Sequence, residues 1–208
     1  MTEAIQRQLD YFIGNREHRA LRKPASDPYR FAETYRREGL SDAERAARRL
    51  EDMLAEETPV VFPWEHIAFL RTVPTLPEIH TPEEFEELQK RYYIHEQGKV
   101  CNIAPEYSLL LTKGLGPLRE EVVSLREDFL RRDMADEAAY EAVLLRTIDA
   151  ILDFSERYRQ EALRVGNQTV ADTLSRIPRQ APETFLEALQ FLRIIHYCLW
   201  CSCLFFRQ

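Results

Sequence analysis

The stretch from Pro182 to Phe206 constrains this chain most. Pro182-Glu-Thr-Phe-Leu-Glu-Ala-Leu-Gln190 opens a helix, and Tyr197 to Phe206 carries no charged residue. A helix ending in a wholly apolar turn packs against further protein, yet the sequence stops at Gln208. Phe185, Leu189, Leu192, Ile195, Leu199, Leu204, Phe205 and Phe206 offer more apolar area than one face of a lone domain needs. At about 25 cal/mol per Å², leaving several of them in water forfeits a few kcal/mol, comparable with the net stability of a domain. The segment is therefore expected to seek cover from a partner. It is no membrane anchor, because Glu187, Gln190, Arg193 and His196 interrupt it. The uninterrupted piece falls short of the roughly 20 residues that span a bilayer.

Nearly every other segment reads as helix. Residues 3–22 form one helix ending before Pro24, and 29–38 a short one stopped by Gly39. Ser41-Asp-Ala-Glu44 and Thr81-Pro-Glu-Glu84 are capping boxes. The first starts a helix with Ala43, Ala46, Ala47, Leu50 and Leu54 on one stripe; the second starts one reaching about His95. Apolar residues recur at helical spacing from Leu115 to Phe129. They do so again through Tyr140, Leu144, Ile148, Ile151, Ser155, Tyr158 and Ala162, the longest helix, which stops at Gly166-Asn167. Four prolines break residues 58–80, where Val60-Val-Phe62 and Ile67-Ala-Phe-Leu70 read as short extended pieces. The fold class is mainly α with few short strands, and we divide the chain into a helical extension, 1–40, and a main unit, 41–208.

Charge and cysteines narrow the partners. Twenty-eight Lys and Arg against 35 Asp and Glu give a net −7, which argues against nucleic acid and anionic membranes. The cluster Arg16, Arg19, Arg22 and Lys23 reads as a solvated helix face rather than a polyanion site. Four cysteines without an export signal place the chain in a reducing cytoplasm. Cys198-x-x-Cys201-x-Cys203 has no completing ligand pair, so small apolar packing is the reading and no metal is expected.

Residues able to carry chemistry are few. His18 and His80 look exposed, while His66 and His95 lie beside Glu65 and Glu96 and read as surface hydrogen-bonders. His196, flanked by apolar residues, reads as a buried, satisfied histidine. Glu83, Glu84, Glu86 and Glu87 read as a solvated face. No phosphate loop, zinc helix or nucleophile elbow is present.

The order of motifs from Pro59 onward says more. Pro59-Val-Val-Phe-Pro-Trp-Glu65-His-Ile67 leads to Phe69-Leu-Arg-Thr72, then His95-Glu96-x-Gly98, Asn102-x-x-Pro105-Glu-Tyr107 and Lys113-Gly114-Leu115. Ile177-Pro178 and Thr184-Phe-x-Glu-Ala-Leu-Gln190 follow. Over roughly residues 45–204 this resembles the N-terminal region of glycyl radical enzymes, the pyruvate formate-lyase family. The resemblance implies the helical N-terminal portion of a ten-stranded α/β barrel, and an anaerobic, cytoplasmic lyase or dehydratase that cleaves C–C or C–O bonds. It implies a glycyl radical installed by a separate S-adenosylmethionine-dependent iron–sulfur activase, and a cysteine that relays it as a thiyl. Neither the thiyl cysteine nor the radical glycine falls within these residues. Cys198, Cys201 and Cys203 lie on the wrong helix, Gly114 and Gly116 sit in a turn, and no catalytic residue is assigned.

Two residues are nominated as substrate-binding. Many family members place a histidine that contacts substrate hydroxyls where Asn102 stands; the plainer role for its amide is capping the turn before Pro105. Arg71 is a candidate for a substrate carboxylate, with a salt bridge to Glu65 or Glu78 as the plainer role. The leading expectation is an N-terminal fragment of a glycyl radical lyase (formate acetyltransferase-like), truncated or split and inactive alone, with residues 184–206 covered by the remaining barrel or a second copy. The alternative is a helical binding or regulatory module docking through that same helix. A small self-contained enzyme ranks last, because no set of nucleophile, base and orienting group is visible.

Overall fold

The computed structural model describes residues 2–92 and 106–202. Every regular element in them is helical: α1 (Glu3–Leu9), α2 (Ala32–Arg37), α3 (Asp42–Glu56), α4 (Pro82–Tyr92), α5 (Tyr107–Lys113), α6 (Leu115–Arg131), α7 (Ala135–Arg164), α8 (Gln168–Arg176) and α9 (Phe185–Ser202). The helix expected over 3–22 breaks into three. α1 runs into a π-helical turn at Asp10–Gly14, and Arg16, at φ 55°, precedes a 3-10 turn at Glu17–Leu21. Gly14 and Asn15 are weak helix formers, and the aromatic rings just before them turn toward Phe62 and Trp64.

Capping chemistry places the other helices. Ser41 Oγ accepts from Glu44 N–H while the Glu44 carboxylate accepts from Ser41 N–H at 2.8 Å. Thr81 and Glu84 repeat the box at α4. α7 ends where Gly166 adopts φ +77°: its N–H reaches Leu163 O, and Asn167 N–H reaches Ala162 O at 2.8 Å. Asn167 then caps α8 by accepting from Val170 N–H.

The core is where α3, α7, α8 and α9 meet, around Met53, Phe154, Tyr158, Val170, Phe191 and Ile194. α7 shows why its periodic stripe was only half a core. Ile151, Ser155, Tyr158 and Ala162 are buried, but Tyr140 is 54% exposed. That N-terminal half pairs with α6, tied by Arg119 to Asp149 at 2.6 and 3.0 Å, and Leu125 and Leu130 on α6 stay exposed.

α9 buries one face on the chain's own helices: Phe191, Ile194, Ile195, Tyr197 and Cys198 are all buried. Ile195 was expected among the residues wanting outside cover, and it has that cover already. Phe185 is 79% exposed, and Leu189, Leu192 and Leu199 are half-buried. Leu204, Phe205 and Phe206 lie outside the described residues.

Other expectations change. Glu84 is no solvated carboxylate: it receives both arms of the Arg45 guanidinium, at 2.8 and 3.0 Å, and Arg45 is buried. His80 is half-buried beside that pair, and His18 is half-buried against the Phe12 ring. His196 is exposed rather than buried. No described helix is long and apolar enough to cross a membrane.

Candidate functional site

Residues 57–81 form a strap that crosses the helical core without a strand partner. The pieces expected to be extended, 60–62 and 67–70, carry no strand among the described residues. Buried backbone groups need hydrogen bonds, and here helix side chains supply them. The Gln190 side chain, 0% exposed, accepts from Ala68 N–H at 2.8 Å. Arg193 donates to Phe69 O at 2.6 Å, and Tyr158 Oη to Leu70 O at 2.8 Å. Asn167 Nδ2 donates to Phe62 O and Glu65 O at 2.8 and 2.7 Å, while Arg157 donates to Leu54 O and Glu57 O.

Two points along the strap are unusual. Phe69 sits at φ +87°, a region bulky side chains avoid. Its ring stacks on Tyr158 with centroids 4.0 Å apart and meets Phe154 and Tyr197 edge-on. That packing, with the Arg193 bond to its carbonyl, holds the strained backbone. Glu57, 1% exposed, accepts through one oxygen from Thr72 N–H, Thr72 Oγ and Val73 N–H at 2.8, 2.6 and 3.2 Å.

Arg71 leaves the strap at this place. Its guanidinium donates to Tyr197 O at 3.0 Å, lies 4.5 Å over the Tyr197 ring and has Glu57 Oε1 at 3.8 Å. Glu57, which sequence reasoning did not single out, is thus a carboxylate beside it. Just beside Tyr197, His196 Nε2 is 2.7 Å from Tyr107 Oη. The strap and α5 therefore both reach α9, the first at buried Tyr197 and the second at its exposed neighbour His196. Asn102 lies outside the described residues.

Sequence reading took Glu187, Gln190, Arg193 and His196 as breaks in an apolar run, without seeing them as one line. Their three-residue spacing was the missed signal, since it runs a polar line along one helix side. Each makes a tertiary or capping bond. Glu187 and Thr184 form the α9 capping box, and Glu187 also meets Arg176 at 3.2 Å. Motif Thr184-Phe-x-Glu-Ala-Leu-Gln190 is thereby explained as cap plus strap anchor. The Lys113-Gly114-Leu115 turn has a physical reason too: Leu115 N–H and Gly116 N–H donate to Pro178 O and Arg179 O, both at 2.8 Å.

Glu65 gives the region a pH response. It is buried, accepts from Phe62 N–H at 3.1 Å and borders a cavity of about 190 Å³ shared with Phe69 and Arg193. Burial pushes its carboxyl up to about 7, against the opposing pull of the Phe62 amide and the Arg193 charge. Unfolded, the group ionises near 4.5. Between those values the folded chain holds a proton that the unfolded chain has released. Stability must then fall as pH rises through that window, by roughly 3 kcal/mol in all. Glu65→Gln is expected to match the parent near pH 4.5 and to exceed it by about 3 kcal/mol at pH 8. Urea unfolding at both values checks this, and an unchanged difference between the two would refute it.

Comparison with known proteins follows the same outline. The family described as PFL-like, pyruvate formate lyase-like, matches residues 80–202, more than half of the chain. No curated protein matches at a significant level. A glycyl radical enzyme from Archaeoglobus fulgidus is similar with TM-score 0.64 at 16% identity, over 90% of this chain and 34% of its own. A structure from Roseburia inulinivorans, concerned with 1,2-propanediol dehydration, is similar with TM-score 0.67 at 17% identity, over 97% and 32%. Hydroxyproline dehydratase from Clostridioides difficile, with trans-4-hydroxy-L-proline bound, gives TM-score 0.56 at 16% identity, over 90% and 34%. The chain thus spans about a third of the length of the structures it matches, and at these identities the likeness shows the fold. With its helices, strap and turn so arranged, the chain belongs to the pyruvate formate lyase-like family.

Proposed function

We propose that these residues are the helical N-terminal portion of a glycyl radical lyase or dehydratase that cleaves a C–C or C–O bond in anaerobic, cytoplasmic metabolism. The observation that carries this reading is the match of nearly the whole chain to about a third of each glycyl radical enzyme structure. Arg71, and Asn102 on the segment leading to Tyr107, face the substrate. The radical glycine and thiyl cysteine come from the other two thirds. Gly114 and Gly116 are packed on the backbone of residues 179–181, and Cys198 is buried in the core, so each has a structural reason for its place. Phe185 and the half-buried face of α9 are covered by the remaining barrel.

The 208 residues alone are expected to give no glycyl-radical doublet by electron paramagnetic resonance after anaerobic treatment with an activase, S-adenosylmethionine and reductant. They are also expected to turn over neither diol nor hydroxyproline. Joined to the remaining two thirds of a barrel, the same treatment yields the doublet, and Arg71→Met then raises KM for a carboxylate-bearing substrate more than for a diol. A doublet from the 208 residues alone would overturn the fragment reading.

A further inference from the structure

A second cleft shares no lining residue with the Glu65 cavity and takes no part in the site above. It encloses about 600 Å³ between α1 and the step at Phe62 and Trp64. Those two rings are stacked, with centroids 4.9 Å apart and planes 8° from parallel. Tyr11 stands edge-on to both, at 4.9 and 5.5 Å. The π-helical turn builds this wall, because its wider winding brings the consecutive residues Tyr11 and Phe12 onto the same ring pair. Such turns recur at functional sites.

Glu3, Asp10 and Glu17 line the rim, against one cation, Arg7. Asp10 accepts from Gln6 at 2.8 Å and Glu17 from Asn15 at 3.0 Å. A carboxylate has about four acceptor positions, so both keep capacity for a ligand. Burial, then the charges of Glu17 and Glu65, raise the Tyr11 hydroxyl's pKa, so the ring stays neutral in a negative field.

Aromatic faces and carboxylates together select among cations. A metal ion wants oxygen ligands and gains little from the wall. A quaternary ammonium can sit on the rings but has no N–H for the carboxylates. A guanidinium does both: it stacks flat on an aromatic face and donates in a planar fork. We propose that this cleft binds an arginine side chain presented by a polypeptide partner, drawn to a chain whose net charge is −7.

The test is a titration of the full 208-residue chain, following the Trp64 indole N–H by ¹H–¹⁵N NMR, with Trp200→Phe used for assignment. Three probes are compared: the blocked peptide acetyl-Gly-Arg-Gly-amide, its citrulline counterpart, and methylguanidinium. The arginine peptide is expected to shift Trp64 saturably and the uncharged citrulline peptide to leave it in place. Glu17→Gln, a change at an exposed position, weakens binding about threefold as read by the same Trp64 signal. Equal shifts from citrulline, or no saturable shift, overturn the cation site. Methylguanidinium binding as tightly as the peptide overturns the polypeptide source and leaves a free small cation.

Discussion

Gly114→Ala is expected to lower the unfolding free energy by about 3–5 kcal/mol, a large share of a typical domain's net stability. Two separate effects add. Gly114 has φ +76° and ψ 171°, a region essentially reserved for glycine, where a side chain costs about 1–3 kcal/mol. A Cβ there would also stand 2.4 Å from the Gln180 carbonyl carbon and 2.8 Å from Ala181 N and Arg179 O. These are backbone atoms of the linker between α8 and α9, so relief means moving the linker. Moving it stretches the Leu115 and Gly116 bonds to Pro178 and Arg179, at about 1 kcal/mol each. Gly39 supplies the control. It has φ +68° but nothing within 4 Å of an added Cβ, so Gly39→Ala should cost only about 1–2 kcal/mol. Gly116→Ala, whose Cβ would meet Arg179 O at 2.8 Å without a positive φ, should fall between them. Urea midpoints at constant slope give the order. If Gly114→Ala costs no more than Gly39→Ala, the close approach of the two turns is absent in solution.

That turn marks the boundary of what the sequence could tell. Helix ends were readable because caps are local: Ser41 with Glu44, Thr81 with Glu84, and Gly166 before Asn167 each act within a few residues. The family was readable because motifs such as Lys113-Gly114-Leu115 and Thr184 to Gln190 survive as strings. Their reasons were not, because each is explained by a partner far along the chain. Gly114 answers to Gln180, and Gln190 to Ala68. Burial failed in the same way. Glu84 and His196 were assigned from their neighbours in sequence, but Arg45 covers the one and α5 meets the other only at an exposed edge. The N-terminal helix broke because tertiary ring packing outweighed a weak helical tendency at Gly14 and Asn15. The candidate site was least legible of all. Arg71 was chosen by resemblance, whereas Glu57, Tyr197 and Arg193, which fix the strap around it, carry no local signature.

Glu57→Ala should therefore be the second most damaging single change, at about 3–5 kcal/mol. One buried carboxylate oxygen satisfies the amides of Thr72 and Val73 and the Thr72 hydroxyl. Removing it strands three donors, at about 1–3 kcal/mol for each one that finds no water. It also removes a negative charge 3.8 Å from the Arg71 guanidinium. Glu57→Gln keeps a carbonyl oxygen able to accept from Thr72 and Val73, so its loss should be roughly half as large. Arg71→Met, which leaves those donors satisfied, should cost less than either, about 1 kcal/mol, because its contact to Glu57 is long and its side chain is 27% exposed. The three together separate a strap that needs the carboxylate for its backbone from one that needs it for Arg71. Limited proteolysis supplies the structural readout: Glu57→Ala should open cleavage within residues 58–80 at urea concentrations where α7 and α9 are still protected, and Arg71→Met should not. If Arg71→Met opens the strap as widely as Glu57→Ala, the cation is itself part of the clamp rather than a group the clamp presents. The strap's geometry favours the opposite, because three donors converge on Glu57 within 3.2 Å while Arg71 stands 3.8 Å from its other oxygen.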